Sequence, residues 1–511
     1  MFKRLKDILN MKSTEEDKIE KSQILMRSLE DNISMFKRSF AENDLVVYRN
    51  IRNQHDDKLD FCLIYVDGMI DNETVQETII LPLLGTHMSS YSLDYLADSV
   101  LSSRSIEKSK NIDELVKSII YGDSVLLLNG SIEALVMDTK GWEKRQISEP
   151  IGETAVRGPR EGFTESIETN LTLIWKRIIN PDLKMQYMEI GRQTKTKVCI
   201  CYLKSLAHQE IIDELRKRLG EIEIDGILES GYIESFIHDA PLSPFETIGS
   251  TERPDVVAGK LLEGRVAVVC DGTPFVLTLP HLFIEYFQFN EDYYHNFIFA
   301  SFNRILRVIA FFLSTSIPAI YIALTTYHQE MIPTPLLLSI SSSRQGVPFP
   351  TVFEALSMGI TFEILREAGT RLPKPIGQTV SIVGALVLGE AAVTARIVSA
   401  PIVIVTALTG ITSLMLPKML GALAVIRFSY VILASFLGLY GYIFGVIGLF
   451  IHLMSIRSFG IPYMLQLGSI NKQDIKDTII RAPWWYMYYR PKLIGGKNPV
   501  RSGSANLRKR G

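Results

Sequence analysis

The sequence predicts a fold of two unlike parts: a cytoplasmic α/β-type N-terminal region of two subdomains, followed by an all-α polytopic membrane domain. Charged residues are frequent from the start to about residue 296, whereas residues from about 297 to 457 contain long apolar runs. The first part mixes strand-like runs with amphipathic helical patterns. The averages of the chain, 47% hydrophobic and 22% charged residues in 511, conceal this division.

The N-terminal region divides where its composition changes. We expect a strand from about Leu45, a helix that starts at Asn111 or Asp113, and a hairpin turn at Asn129 and Gly130. A second set of strands and helices follows a linker rich in glycine and proline. The predicted boundaries are a flexible segment at 1–30, subdomain 1 at 31–147, a linker at 148–163 and subdomain 2 at 164–296.

The linker has no apolar period, and two interpretations of it are open. Arg145, Arg157 and Arg160 could bind an anion, or the stretch is a hinge or a strap between the subdomains. The strap is the simpler interpretation, because glycine, proline and charge together are typical of surface connections.

Several function classes find no support in the sequence. A net charge of −2 gives no basic excess for nucleic acid. The N-terminus has no uninterrupted apolar core, so we expect no secretory signal. There is no G-x-G-x-x-G after a strand, no Walker P-loop and no H-E-x-x-H, and the eight histidines show no ligand spacing. We therefore expect no enzymatic activity, no catalytic residue, no cofactor and no metal, and we expect the four cysteines to be buried free thiols.

The membrane domain, residues 297–460, is predicted to contain four or five spans. A transmembrane helix needs about 20 mostly apolar residues. A single helix through the last long apolar run would exceed the thickness of a bilayer, so we place a break near Gly438–Gly445. The candidate spans are about 306–327, 376–395, 397–416, 419–438 and 441–457.

Charges interrupt residues 351–368, which we predict to form an amphipathic helix at the membrane surface or packed beneath the membrane domain. Within it, Glu363 and Arg366 form a solvated ion pair in the simpler interpretation, and part of a gate in the other.

The tail, residues 461–511, is strongly basic, so the positive-inside rule predicts that it is cytoplasmic. A cytoplasmic N-terminal region then requires an even number of spans, whereas the count above gives five. Either the last long run forms one over-long helix, or the proline-rich segment before residue 351 enters the membrane. Aromatic and basic residues occur together at 484–490, which suits contact with membrane lipid.

The run from Ile376 to Ala395 is rich in glycine and alanine and holds one ionisable residue, Glu390. A carboxylate in a membrane helix of small residues is expected to face water, a partner or a pore. Five residues recur at alternating steps of three and four and therefore share one helix face: Val380, Val383, Val387, Glu390 and Thr394.

Two arrangements of this face are open. In the first, the five residues line the axis of an oligomer, where rings of valine close a pore by dewetting and a ring of Glu390 attracts cations. In the second, the valines pack against neighbouring helices, and Glu390 forms an intramembrane ion pair with Arg427 or with Arg396. Arg427 could also extend to the membrane surface instead of pairing.

Several long motifs identify a family. They are SLEDNISMFKRSF, EPIGETAVRGPREGFTESIETNLTLI, RPDVVAGKLLEGRVAVVCDGTPFVLTLP, EDYYHNF and GVPFPTVFEALSMGITFEILREAGTRLPKPIGQTVSIVGALVLGEAAV. Together they closely resemble the A subunit of the GerA-type spore germinant receptors, and the resemblance covers about residues 28–495.

The resemblance implies an integral protein of the spore inner membrane that works with a transporter-like B subunit and a lipoprotein C subunit. It also implies that A subunits oligomerise into a ring and act as a nutrient-gated cation channel, which triggers spore germination. Within the family, the stage V sporulation AF-type paralogue, which acts beside the receptors, is the alternative.

Two further function classes compete with the channel. A secondary transporter is disfavoured because the few predicted spans show no two related halves. A non-conducting scaffold that assembles the B and C subunits has no need of a carboxylate on a small-residue membrane helix, so Glu390 weighs against it.

Overall fold

The structure is a computed structural model. It describes residues 24–56, 59–85, 92–103, 105–141, 149–150, 152–372, 387–465, 477–490, 494 and 498–501.

Subdomain 1 is built on a five-stranded antiparallel sheet with the strand order β1-β2-β4-β5-β3. Alternate residues of β2 point to opposite faces, so Cys62 and Ile64 pack with α1 and α4, whereas Phe61 and Leu63 pack with α2 and α3. The elements are α1 (Leu29–Ser39), β1 (Val46–Arg52), β2 (Asp60–Val66), α2 (residues 72–85), α3 (residues 93–100), β3 (Ile106–Ser109), α4 (Ile112–Ile120), β4 (Ser124–Leu128) and β5 (Ala134–Met137).

Subdomain 2 repeats this topology. Its five strands are also antiparallel and follow the order β6-β7-β9-β10-β8, which is the first order shifted by five. The elements are α5 (Ile167–Arg177), β6 (Leu183–Ile190), β7 (Thr196–Leu203), α6 (Gln209–Gly220), α7 (Ser230–Ile237), β8 (Gly249–Thr251), α8 (Pro254–Glu263), β9 (Val266–Cys270) and β10 (Val276–Leu279).

The two subdomains share one hydrophobic core. Helices α1 and α4 of the first and α5 and α8 of the second contribute to a single cluster of buried residues with one face of each sheet. Trp175 on α5 is fully buried there, and its indole N–H donates to the carbonyl of Ile120 at 3.1 Å. The subdomains are therefore packed together through helices that lie between two sheets.

The predicted α/β character of the N-terminal region is confirmed, and the local signals explain why. The side chain of Asn111 accepts from the N–H of Asp113 and caps α4. Gly130 has a φ of 87° in the turn between β4 and β5, a conformation that glycine adopts without steric cost. The four cysteines are free and buried, as predicted.

The described part of the linker lies as a strap on subdomain 2. The carboxylate of Glu153 accepts from Thr251 and from the N–H of Glu252, and it pairs with Lys418 at the start of the last long helix. Arg253 donates to the carbonyl of Pro159 at 3.2 Å.

The predicted membrane domain, residues 297–460, is here called the membrane half, and its described residues form six α-helices. They are α9 (Phe297–Thr326), α10 (Thr334–Ser343), α11 (Thr351–Arg371), α12 (residues 387–394), α13 (Ala400–Ser413) and α14 (Leu420–Ser455). Within the described ranges, two segments have the length and apolar composition to cross a membrane, Phe297–Thr326 and Pro417–Ser455. A short β-hairpin follows, with β11 at Arg457–Ser458 and β12 at Ile461–Pro462.

Helix α14 folds back on itself at Gly438, whose φ of 62° and ψ of −138° are not helical. The rings of Tyr430 and Tyr442 lie 5.6 Å apart, although twelve residues of straight helix would separate them by about 18 Å. The helix is therefore a hairpin of two arms, residues 420–437 and 439–455.

Contacts fix the direction of the helices relative to subdomain 2. At the end of the membrane half that faces this subdomain, here called the near end, His452 contacts Ser243 at 2.9 Å and Lys418 donates to the carbonyl of Ser250. At the opposite, far end, Tyr327 after α9 donates to the carbonyl of Ser435 beside the α14 turn. Both arms of α14 therefore start or end at the near end.

Candidate functional site

The described end of the glycine- and alanine-rich run is the helix α12. Val387, Glu390 and Thr394 are all exposed there, at steps of three and four, so they form one exposed face. Gly389, on another side of the helix, is buried. A Cβ added there would lie 3.7 Å from the side chain of Val403 on α13. Val380 and Val383, which belong to the same predicted stripe, lie outside the described residues.

Glu390 makes no ion pair in the part of the chain that the structure describes. Arg427, its predicted partner, lies instead against Glu363 of α11, with 5% of its own side chain exposed. The structure thus does not bring Glu390 and Arg427 together within one chain, and Arg427 already has a carboxylate partner.

Two sets of hydrogen bonds and one unusual backbone angle define the short connection from α12 to α13. The N–H groups of Ile397 and Val398 donate back to the carbonyl of Ala392. Arg396 has a φ of 56°, in the left-handed region that few residues other than glycine adopt. The N–H of Ser399 donates to a carboxylate oxygen of Glu354 at 2.7 Å, which satisfies the amide just before α13 begins.

Glu354, a residue of α11, links that helix to the segment between α12 and α13. Its side chain is fully buried, and the guanidinium of Arg344 lies 3.6 Å from its second oxygen. The amide of Ser399 satisfies one oxygen of this buried carboxylate, whereas the other oxygen faces Arg344 without a hydrogen bond among the described residues. Glu354 therefore fixes where α12 ends relative to α11.

Up to Arg366, helix α11 has its charges inside and several large apolar residues outside, whereas Glu367 and Arg371 near its end are exposed. Phe353, Ile360 and Ile364 are 54%, 51% and 62% exposed, whereas Glu354 and Glu363 face other helices. This is the reverse of a helix that lies at a water surface. It does not match the first of the two placements predicted for residues 351–368, at the membrane surface, and the second, packed beneath the membrane domain, stays a prediction.

The predicted pair of Glu363 and Arg366 forms at 2.5 Å, but it is not a solvated pair. Both side chains are more than three-quarters buried, and Glu363 also accepts from Arg427 of α14. Two arginines converge on one carboxylate, and this contact joins α11 to the first arm of α14. The simpler interpretation of Glu363 as a surface residue was wrong, because a sequence does not show a partner 64 residues away.

A second charged cluster joins the soluble half, α9 and the tail. Arg304 of α9 is completely buried and donates to Asp292 at 3.0 Å and to Asp477 of the tail at 2.9 Å. Arg307 donates to both oxygens of Asp292, and the hydroxyl of Tyr293 donates to Asp477 at 2.8 Å. We call these residues the joint, because they tie the start of the first span to the segments that precede and follow the membrane half in the sequence.

Buried charges continue from the joint into subdomain 2. Glu285 pairs with Arg265 at 2.6 Å and also contacts Lys260 and His281. Although burial favours the neutral acid, the charges of Arg265 and Lys260 hold the pKa of Glu285 well below its usual range. The cluster is paired internally, which is typical of a structural network.

The described residues show no group of three or more His, Cys, Asp or Glu side chains that could hold a metal ion. Sequence reasoning missed two separate contacts of α11, that of Glu354 with the amide of Ser399 and that of Glu363 with Arg427. The available signal was the apolar stripe Phe353–Ile360–Ile364, which marks the outer face of α11 and leaves both glutamates off that face.

The family is decided by comparison with known proteins. The model of the Bacillus/Clostridium GerA spore germination protein family matches residues 34–493. The chain belongs to the GerA family of spore germination proteins. The family predicted from the sequence motifs, that of the GerA-type receptor A subunits, is thus confirmed.

GerA relatives match this chain over nearly its whole length. Spore germination protein KA of Bacillus subtilis (strain 168) is 44% identical over 95% of this chain and 90% of its own. The uncharacterized membrane protein YfkQ of the same organism is 45% identical over 84% of each chain.

One solved structure is also similar to this GerA chain. The N-terminal domain of the A subunit of the Bacillus megaterium spore germinant receptor GerK3 is 33% identical, with a TM-score of 0.39, and the match covers 52% of this chain and 99% of that one.

Proposed function

We propose that this GerA-family chain is the A subunit of a nutrient germinant receptor in the spore inner membrane. Copies of it assemble into a ring, and the ring is a nutrient-gated cation channel whose opening triggers germination. Its partners are a transporter-like B subunit, a lipoprotein C subunit and membrane lipid.

The observation that carries the proposal is the exposure of Glu390 on α12. An ionised side chain within a membrane segment is costly unless it meets water or a partner. Inside one chain, Arg427 is occupied by Glu363, and the described residues offer Glu390 no cation. A water-filled axis shared by several copies supplies the environment that the single chain lacks.

The chemistry of the same face suits a gated cation path. A ring of carboxylates concentrates cations, and a ring of Val387 one turn away narrows the path with apolar groups that exclude water. The contact of Glu354 with Ser399 then sets the position of this face, because it fixes the end of α12 against α11.

The helix directions support a location of both termini on the same side of the membrane. Helices α11 and α13 run parallel, since Glu354 contacts Ser399 and Phe362 lies beside Gly410 farther along both helices. With α9, the 376–395 run and the two arms of α14, we count six crossings. An even number places the soluble half and the basic tail together on the spore core side, as the positive-inside rule requires.

The test is conductance of the purified full chain in liposomes, with and without the partner subunits. Val387→Ala should increase current in the absence of nutrient, and Glu390→Gln should lower the preference for cations over anions several-fold. Leu388→Ala is the matched control, because Leu388 is 49% exposed beside Val387 but lies off the stripe.

Two results would contradict the proposal. Folded oligomers that carry no current under any of these conditions would favour the scaffold function. Equal effects of Val387→Ala and Leu388→Ala would show that the stripe does not line the pore, without contradicting conduction by the chain.

A further inference from the structure

An apolar cavity of about 390 Å³ lies between α9 and the second arm of α14. Phe283 and Phe287 form its wall toward subdomain 2, Phe311 its α9 side, and Leu449 and Leu453 its α14 side. The three phenylalanine rings pack edge to face at 5.4 to 5.9 Å and form a continuous aromatic wall. The size is within the range of ligand pockets.

The cavity opens sideways, toward the surface that the two longest apolar helices present. Phe312, Phe450 and Met454 line it and are 46%, 44% and 71% exposed. These exposed side chains belong to the two segments with the length to cross a membrane. The surrounding medium at this opening is therefore hydrocarbon instead of water.

Charged residues at the near end indicate at which level of the membrane the cavity lies. Val308 lines the cavity directly after Arg307, which is held by Asp292 of the joint. After the other helix ends, Arg457 in β11 lies three residues beyond Met454, is exposed, and has no carboxylate within ion-pair distance in the described part of the chain. The opening thus lies in the leaflet next to the soluble half, and an exposed positive charge follows its last lining residue on α14 by three residues.

We propose that this cavity binds one acyl chain of a phospholipid from that leaflet, with Arg457 beside the phosphate of the headgroup. Apolar cavities exclude water, because a water molecule needs polar partners. An empty cavity would leave the lining side chains without contacts on one side. The lipid chains that surround α9 and α14 fill it without either cost.

The site deepens the proposed function and rests on its membrane location for α9 and α14, but not on conduction. Met464 and Ile479 of the tail also line the cavity. A bound chain consequently holds α9, α14, the tail and the 283–287 segment at one spacing, and α11 and α13 pack on these helices. Lipid at this site is a structural ligand that sets the position of the pore-forming part.

The experiment uses the full chain in nanodiscs that contain a phospholipid with a diazirine on one acyl chain. After illumination, mass spectrometry locates the modified residues. We expect adducts concentrated at Phe312, Phe450 and Met454, and a reduction of at least about fivefold in Leu449→Trp, whose larger side chain fills the cavity. Phe444→Trp is the matched control, since Phe444 is 65% exposed on the same arm and does not line the cavity.

The contrary results are distinct. Adducts spread evenly along the exposed arm, or unaffected by Leu449→Trp, would overturn the site. Cross-links from Met454 to a second protein chain would show that protein covers the opening. For the headgroup, Arg457→Gln should lower the retained ratio of phosphatidylglycerol to phosphatidylcholine, and an unchanged ratio would remove Arg457 from the site. All of these readouts are independent of current.

Discussion

Glu234 on α7 shows how burial sets the charge of a residue in the soluble half. Burial raises its pKa to about 7, and the negative charges of Glu246 and Glu229 add to the rise. In the unfolded chain its pKa is near 4.5, so the folded state binds the proton more tightly. This contribution to stability is complete below about pH 4.5 and is lost as the pH rises to about 7.

We therefore expect Glu234→Gln to stabilise the protein above pH 7 by about 1–2 kcal/mol, since the neutral amide avoids the cost of a buried charge. The thermal midpoint of the full chain in nanodiscs, measured from pH 5 to pH 8, checks this. The difference between wild type and variant should grow with pH.

The control for this measurement is Glu223→Gln. Glu223 is 77% exposed and pairs with Arg192 at the surface, so the change should be within about 0.5 kcal/mol at every pH. If wild type and Glu234→Gln differ by the same amount at pH 5 and pH 8, the carboxyl of Glu234 does not titrate in this range.

At the scale of the element, the turn of α14 depends on one glycine. The φ of 62° and ψ of −138° at Gly438 lie in a region that is almost restricted to glycine. A Cβ at this position would also lie 3.0 Å from Tyr327 and 3.1 Å from His328. Backbone strain and lack of space thus act together at the far end of the hairpin.

Gly438→Ala should destabilise the membrane half by about 1–3 kcal/mol. Gly448→Ala is a matched control in the second arm, because Gly448 is helical and a Cβ there would meet nothing within 4 Å. Alanine is the better helix former, so this control should be neutral or slightly stabilising. Monodisperse protein recovered after a heating series measures both, and equal recovery of the two variants would show that the turn tolerates a side chain.

The elements of the membrane half differ in how well a sequence predicts them. The break at 438–445 follows from length alone, because a 39-residue apolar run exceeds what a bilayer accommodates. Helical period predicts that Val387, Glu390 and Thr394 share one helix face, but it does not predict that this face is exposed. The inward position of Glu354 and Glu363 on α11 did not follow, because their partners, the amide of Ser399 and Arg427, are distant in sequence.

For the molecule as a whole, the largest feature that sequence reasoning missed is the duplication of the soluble half. Both subdomains have the strand order and antiparallel pairing of the other. A sheet topology requires strands with an apolar face, not particular residues, so β2 (DFCLIYV) and β7 (TKVCICYL) occupy equivalent places without recognisable similarity. The same freedom does not extend to charged contacts, which need specific side chains.

The joint is such a contact, and it unites segments that lie 185 residues apart, from Asp292 to Asp477. Arg304 donates to both carboxylates, so each of them compensates part of its buried positive charge. Removing one partner of a buried pair is costly, but here the other partner remains. Asp477→Asn should therefore release the tail from α9 without unfolding the rest of the chain.

Trypsin measures that release at Arg481, which is buried and donates to the carbonyl of His295 at 2.8 Å. If Asp477→Asn weakens the contact by about 1–2 kcal/mol, cleavage after Arg481 should be about 5- to 30-fold faster, since cleavage follows the population of the open form. Asp213→Asn, which alters an exposed pair on α6, should leave the rate unchanged. An unchanged rate in Asp477→Asn would mean that Arg481 and the rings of Tyr293 and Trp484, which lie 5.7 Å apart, hold the tail without the buried charge.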